Sequence, residues 1–196
     1  MHLLLFIAAY LLGSIPFAVI ISKLFGLADP RGYGSGNPGA TNVLRSGNRI
    51  AAALTLLGDA LKGLLAVYVA GALGFSPFEA ALAGFAAFLG HLFSIFLRFK
   101  GGKGVATALG VLLGINVWVA LSALGAWLIV ILMTRYSSLS ALVAALITPI
   151  AGIIFLGDTP RILVLVAIAV LLTWRHRDNI RKLCTGQENK VGSRQR

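Results

Sequence analysis

From His2 to Trp174 the chain is a succession of apolar runs, each near the length that crosses a bilayer, separated by short polar stretches. A helix rises about 1.5 Å per residue and the hydrocarbon layer is about 30 Å thick, so a crossing takes roughly 20 residues. The runs are 2–25, 50–73, 78–97, 139–156 and 161–174, together with a continuous stretch of 30 residues, Gly104–Met133. Inside a bilayer every backbone N–H and C=O must find its partner within the protein, which favours helices. The expectation is therefore an all-α polytopic membrane protein, arranged as a single membrane-embedded domain over 1–196. With 58% hydrophobic and 12% charged residues and a mean hydropathy of +0.91, the chain is far too apolar for a soluble domain. The first run outlasts a signal-peptide core and lacks a small-residue cleavage site, so it reads as a retained helix.

The 30-residue run decides the topology. As one helix it would extend about 45 Å, too long for a crossing without severe tilt. It would also give six crossings and set the loops 26–49 and 98–103 across the membrane from the basic tail 175–196. Broken near Gly114–Asn116, it gives a short helix 104–114 and a full one 116–133, hence seven crossings. Arg31, Arg45, Arg49, Arg98, Lys100, Lys103, Arg135 and the tail then share one face, and the opposite loops carry only Glu79, Asp158 and Arg161. Positive charge marks the cytoplasmic face. Seven helices are expected, with the N-terminus outside and the C-terminus cytoplasmic. The same rule accounts for a net charge of +11, so nucleic acid is not an expected partner. One cysteine, Cys184, rules out an internal disulfide, and His2, His91 and His176 are too dispersed for a metal-ligand pattern. No metal and no other cofactor is expected.

Against these walls stands Gly34–Arg45, GSGNPGATNVLR. Glycines let backbone N–H groups approach a ligand, and hydroxyls, amides and one guanidinium complete a site for a multiply charged anion, most simply phosphate. The competing reading is a solvated turn, since these are also turn residues. The loop Lys100–Gly104 leads straight into a helix start, where free N–H groups and Lys103 would favour an anion; its alternative is a basic anchor loop. The GxxxxGK[ST] spacing is absent, so ATP is not indicated. His176-Arg177-Asp178-Asn179 continues the last helix, with His176 and Asn179 on one face. His176 is then a proton acceptor or an oxyanion donor, or this is only a basic amphipathic tail. Glu188 reads as a pin holding the tail through a cation. Asp59 and Lys62, three apart inside a span, read as a buried ion pair with a structural or a functional role. His91 reads as a hydrogen-bonded packing residue, and Ser138 as an N-cap hydroxyl. The expected topology sets all three polar motifs on the cytoplasmic rim, where they can converge.

In GSGNPGATNVLR at 34–45, RFKGGKGVATALG at 98–110 and HRDNIRKLCTGQE at 176–188, with GDALKG at 58–63 and TRYSSLS at 134–140, the chain resembles the bacterial integral-membrane glycerol-3-phosphate acyltransferases that use acyl phosphate as donor. The resemblance covers essentially the whole chain. Ser94, where relatives often carry proline, and the order Arg181-Lys182 depart from it. It implies transfer of a fatty acyl group from acyl phosphate to the 1-hydroxyl of glycerol 3-phosphate, giving lysophosphatidic acid and phosphate, at the inner face of the bacterial cell membrane. Acyl phosphate, glycerol 3-phosphate and membrane lipid are the implied partners, along with the enzyme that makes acyl phosphate. The implied catalytic set is Ser35, Arg45, Lys103, His176 and Asn179. Substrate or phosphate contacts are expected from Gly34, Gly36, Asn37, Gly39, Thr41, Asn42, Gly101, Gly102, Gly104 and Ser138, with Asp59, Lys62 and Glu188 structural.

No histidine is followed by aspartate at the HxxxxD spacing, and no serine or cysteine sits in a GxSxG elbow. Direct attack without an acyl-enzyme is therefore expected. An anion transporter is the competing class. It would need polar groups lining a path to the far face, and the outer loops are short and nearly devoid of them.

Overall fold

The structure is a computed structural model, and it describes residues 1–192; the end of the expected basic tail, 193–196, lies outside the described residues. Among the described residues there are helices and turns and no strand. The chain divides into two compact units, Met1–Ile115 and Asn116 onward.

In the first unit α1 (His2–Ser14) and α2 (Phe17–Leu24) replace the single expected run 2–25, and their axes differ by 41°. Pro16 is the reason: it has no N–H to continue the ladder. The break leaves buried carbonyls that need donors. Ser94 Oγ donates to Ser14 O at 2.5 Å, and Lys62 Nζ donates to Ile15 O at 2.8 Å. Ser94, noted only as a departure from relatives, thus closes one end of the break. Next come a four-residue helix α3 (Ala40–Val43), the long α4 (Arg49–Ala72), α5 (Pro77–Leu92) and the short α6 (Val105–Ile115). Asn48 caps α4 by accepting the Ala51 N–H at 2.9 Å, and Ser76 with Glu79 forms a capping box at the start of α5.

These helices approach so closely that glycine is required at the crossings. A Cβ on Gly13 would strike the Ala87 backbone, one on Gly90 would strike Tyr10 O, and one on Gly110 would strike Ala60 O. Lipid supplies no hydrophobic drive between helices, so backbone proximity at small residues takes its place.

The shortness of α6 follows from the loop before it. After a 3-10 turn at Ile95–Leu97 the chain doubles back along α5: the Gly101 N–H donates to Leu92 O and the Gly102 N–H to His91 O, both at 3.1 Å. Gly104, at φ 85°, lies against Phe88 and Leu92. The loop has therefore returned about six residues, or roughly 9 Å, before α6 begins. Eleven helical residues add roughly 16 Å, which together approach the hydrocarbon thickness.

The second unit opens with Asn116, whose Oδ1 accepts from the Trp118 and Val119 N–H groups at 2.8 and 3.2 Å. It starts α7 (Val117–Thr134), so the long apolar run is divided at the expected place. Next come α8 (Ser137–Phe155) and α9 (Thr159–Arg175), with α9 capped by Asp158. The hydrogen bond from Arg161 holds the Asp158 carboxyl below the usual carboxylate range. The chain does not continue straight after α9: it bends by 58° at His176 into α10 (Arg177–Cys184).

Four helices are long and apolar enough to cross a membrane, and up to six when each bent pair counts as one. Gly110→Val should lower the melting temperature of the detergent-solubilised protein by about 10 °C, the scale of a few kcal/mol of overpacking in a chain this size. Gly125→Ala, where a Cβ meets nothing within 4 Å, should leave it unchanged.

Candidate active site

The glycine loop is organised by one buried amide. Asn42, 2% exposed, accepts the Ser35 N–H at 3.0 Å and donates through Nδ2 to Pro30 O at 2.6 Å and Tyr33 O at 3.1 Å. Its side chain is spent on the loop itself, so its role here is to shape the loop. Gly34 and Gly36 turn with φ of 60° and 66°. A Cβ at Gly34 would collide with Asn42 Oδ1 and reach 3.0 Å from Arg45 Cδ, which places the Arg45 stem across Gly34. The Arg45 guanidinium is exposed and makes no hydrogen bond or ion pair with another described residue. Ser35 is exposed beside it, and its Oγ accepts the Asn37 N–H at 3.4 Å. The Asn37 amide lies against Gly39, which precedes α3 and Thr41. Gly34, Ser35, Asn42 and Arg45 thus form one cluster. At the mouth of the loop Asp29 and Arg31 pair at 2.6 Å, and the Arg31 hydrogen bond holds the Asp29 carboxyl below its ordinary range.

The basic loop is fixed by α5. A Cβ on Gly101 would strike His91 O, one on Gly102 would strike His91 Nε2, and one on Gly104 would strike Phe88. Gly101 and Gly102, expected among the substrate or phosphate contacts, spend their N–H groups on α5 carbonyls, because the loop packs back on the helix that precedes it. The glycines are there for fit. Lys103 follows, half-buried, between Gly102 and Gly104.

Beneath this loop lies the ion pair expected from the sequence. Lys62 Nζ stands 2.8 Å from Asp59 Oδ1, with side-chain exposures of 1% and 3%. His91 Nδ1 is 3.4 Å from the same oxygen, and its opposite ring edge supports Gly102. His91, read as a hydrogen-bonded packing residue, is also the link between the ion pair and the basic loop. Its six-residue distance from Leu97 hid that role, since only the doubled-back loop brings Gly102 to it.

In the second unit two motifs meet. Glu188 Oε1 accepts from Ser138 Oγ at 2.6 Å and from Asn179 Nδ2 at 2.7 Å. Neutral donors hold the tail where a cation was expected; among the described residues no salt bridge to Glu188 forms. Ser138 is not the N-cap of α8, a position that Tyr136 takes. Gly186, with φ 69°, makes the turn that returns Glu188 to Asn179. The Val191 N–H donates to Arg135 O at 2.8 Å, and Arg135 donates back to Val191 O at 2.9 Å. His176 is 3% exposed and its Nδ1 lies 2.8 Å from Leu172 O. A carbonyl only accepts, so Nδ1 carries a proton, and in the neutral ring Nε2 is the nitrogen with the lone pair.

Each unit thus sets cations, amides and hydroxyls around tight glycine turns at the ends of apolar helices, which is the constitution of a membrane-embedded site for anionic substrates. The family model described as glycerol-3-phosphate acyltransferase matches residues 3–186. The chain is 70% identical over 191 residues to the glycerol-3-phosphate acyltransferase of Aromatoleum aromaticum, covering 97% of each. It is 57% identical to that of Bordetella pertussis, covering 97% of this chain and 92% of the relative. Among solved structures it superposes with TM-score 0.91 and 40% identity on PlsY (YgiH), an integral membrane glycerol 3-phosphate acyltransferase, in its glycerol 3-phosphate form, covering 97% and 96% of the two chains. The lysophosphatidic acid form of that protein matches with TM-score 0.90 and 38% identity, over 97% and 95%. The chain belongs to the glycerol-3-phosphate acyltransferase family of integral membrane enzymes.

Asn42→Ala removes three hydrogen bonds that shape the loop, the one to Pro30 O fully buried, a penalty of about 1–3 kcal/mol. Acyl transfer should fall by about tenfold or more, with fold intact by circular dichroism, because Ser35 and Arg45 lose their frame.

Proposed function

We propose that this enzyme transfers a fatty acyl group from acyl phosphate to the 1-hydroxyl of glycerol 3-phosphate, releasing lysophosphatidic acid and phosphate, by direct attack. What carries the reading is the near full-length likeness to a chain solved in a glycerol 3-phosphate form. Acyl phosphate suits the chemistry at hand: it is already activated, and phosphate departs readily once its charge is held. Positioning and charge neutralisation then supply most of the rate.

The roles follow from what each residue offers. Arg45, whose guanidinium has no partner among the described residues, and Lys103 clamp phosphate oxygens. Ser35, Asn37 and Thr41, with the backbone at Gly34, Gly36 and Gly39, donate further hydrogen bonds to them. Asn42, Gly101, Gly102 and Gly104 shape the loops. In the second unit His176 and Asn179 act on the glycerol end of the acceptor, while Ser138 and Glu188 hold Asn179. The 1-hydroxyl oxygen bonds to the acyl carbon, the carbon–oxygen bond to phosphate breaks, and phosphate leaves with the electron pair. The hydroxyl proton passes to His176 Nε2 or to the acceptor's own phosphate.

The topology that fits is seven crossings: the two bent pairs as one each, α6 as one, and the four long helices. The N-terminus lies outside, the basic loops lie in the cytoplasm, and the membrane is the bacterial inner membrane. The enzyme that makes acyl phosphate is then the partner upstream.

The test is phosphate release from acyl phosphate by the detergent-solubilised protein. Release should require glycerol 3-phosphate and fall about a hundredfold or more in Arg45→Ala, the scale of losing a charge-assisted clamp. No labelled acyl-enzyme should accumulate on quenching; a trapped covalent adduct would remove direct attack. A His176→Gln variant that keeps its rate and pH profile would assign the proton to the substrate phosphate.

A further inference from the structure

We propose that the turn Ile95–Lys100, with the facing edge of the glycine loop, seats the headgroup of an anionic membrane phospholipid beside the acyl-transfer loop, through residues that take no part in transfer. A cleft of about 450 Å3 opens there, lined by Arg31, Gly36, Phe96, Leu97, Arg98 and Lys100. Of these, Gly36 belongs to the glycine loop of the transfer scheme above, whereas Phe96, Arg98 and Lys100 have no role in it, so substitutions at these three separate the seat from acyl transfer.

Its charge is uncompensated. Arg31 is answered by Asp29, while the side chains of Arg98 and Lys100 make no hydrogen bond or ion pair with another described residue. Phe96 and Leu97 give the cleft an apolar wall, and Ile95 and Phe99 extend the apolar surface beside it. Ile95, Phe96 and Phe99 are 45%, 60% and 60% exposed, and they flank Leu97, where the candidate span Pro77–Leu97 ends. That is the depth at which aromatic rings and basic side chains meet lipid headgroups.

The backbone holds this mixed surface in place. Arg98 and Phe99 are consecutive non-glycine residues in the left-handed region, at φ 50° and 62°, which their side chains disfavour. The Leu97 and Phe99 N–H groups both donate to Ser94 O, at 3.1 and 2.8 Å, and close the turn. Ser94 is in turn tied to Ser14, so the turn is anchored to α1. Phe96, Arg98, Phe99 and Lys100 are thereby all presented at the surface.

A soluble anion would engage the two cations and make no use of the three apolar side chains beside them. A phospholipid meets both halves, headgroup phosphate on Arg98 and Lys100 and hydrocarbon on Ile95, Phe96 and Phe99. The cleft volume also falls in the range of sites for organic ligands, well beyond what orthophosphate fills.

The test titrates phosphatidylglycerol and phosphatidylcholine onto the full-length protein in zwitterionic detergent and reads retained lipid by native mass spectrometry. Wild type should retain phosphatidylglycerol about tenfold more tightly than phosphatidylcholine, and excess inorganic phosphate should not displace it. Arg98→Gln with Lys100→Gln should abolish the preference, Arg98→Lys with Lys100→Arg should restore it, and Phe96→Ala with Phe99→Ala should weaken both lipids. Acyl transfer in detergent should stay within about twofold in the charge-removed variant. Undiminished preference in that variant overturns the proposal. So does displacement by phosphate, which would make the cleft a soluble-anion site. A loss of acyl transfer of about tenfold or more would move both cations into the transfer site and also overturn it. Wild type that retains phosphatidylglycerol but transfers no acyl group supports the seat and removes the transfer scheme instead.

Discussion

In the first unit the α1–α2 break, α4 and the basic loop meet at one ammonium group sealed from water. Lys62 Nζ sits between Asp59 Oδ1 and Ile15 O, at 2.8 Å from each. Neither charge tolerates burial alone, because an unpaired ion in a low-dielectric interior loses its hydration without return. Together they join three parts of the fold. The α1–α2 break gives up a carbonyl, α4 supplies the ion pair, and His91 on α5 carries the arrangement to Gly102. The basic loop that presents Lys103 is thus held from below by electrostatics and from the side by two backbone hydrogen bonds.

Glycine does two unrelated jobs in this chain. At Gly13, Gly63, Gly90 and Gly110 it lets helices touch backbone to backbone, the packing that membranes demand. At Gly34 and Gly36 it supplies left-handed turns. The basic loop borrows the first use for a polar motif. Gly101 and Gly102 look like an anion cradle in the sequence, yet each is small because α5 lies against it. In the proposed reaction, phosphate binding then falls to side chains, above all Arg45 and Lys103.

Much of this is legible in the sequence, and what is not has physical reasons. Apolar runs place the helices, and a break near Gly114–Asn116 follows from the length of the run and the distribution of positive charge; that Asn116 caps α7 comes from the structure. The Asp59–Lys62 pair is legible because two charges three apart inside a span have few other options. The division at Pro16 is hidden because the run around it remains apolar. The bend at His176 has no breaker residue to announce it. Asn42 reads as one more polar residue of the loop; that its amide is wholly committed to Pro30, Tyr33 and Ser35 depends on how the chain folds back seven to twelve residues earlier. Glu188 is a pin, as its isolation among basic residues suggests, but its partners are not cations. Amide and hydroxyl partners from α10 and α8 leave no charge pattern to follow.

The most direct test of the buried network is backbone hydrogen exchange in Asp59→Asn. That change removes the charge that Lys62 and His91 share while keeping the side chain's size. If the network holds the basic loop, the Gly101 and Gly102 amides should exchange about tenfold faster or more, while the amides of α7 to α9 keep their wild-type rates. Unchanged protection at Gly101 and Gly102, in a variant that has lost the carboxylate, would show that the loop is held without the ion pair and would contradict the account.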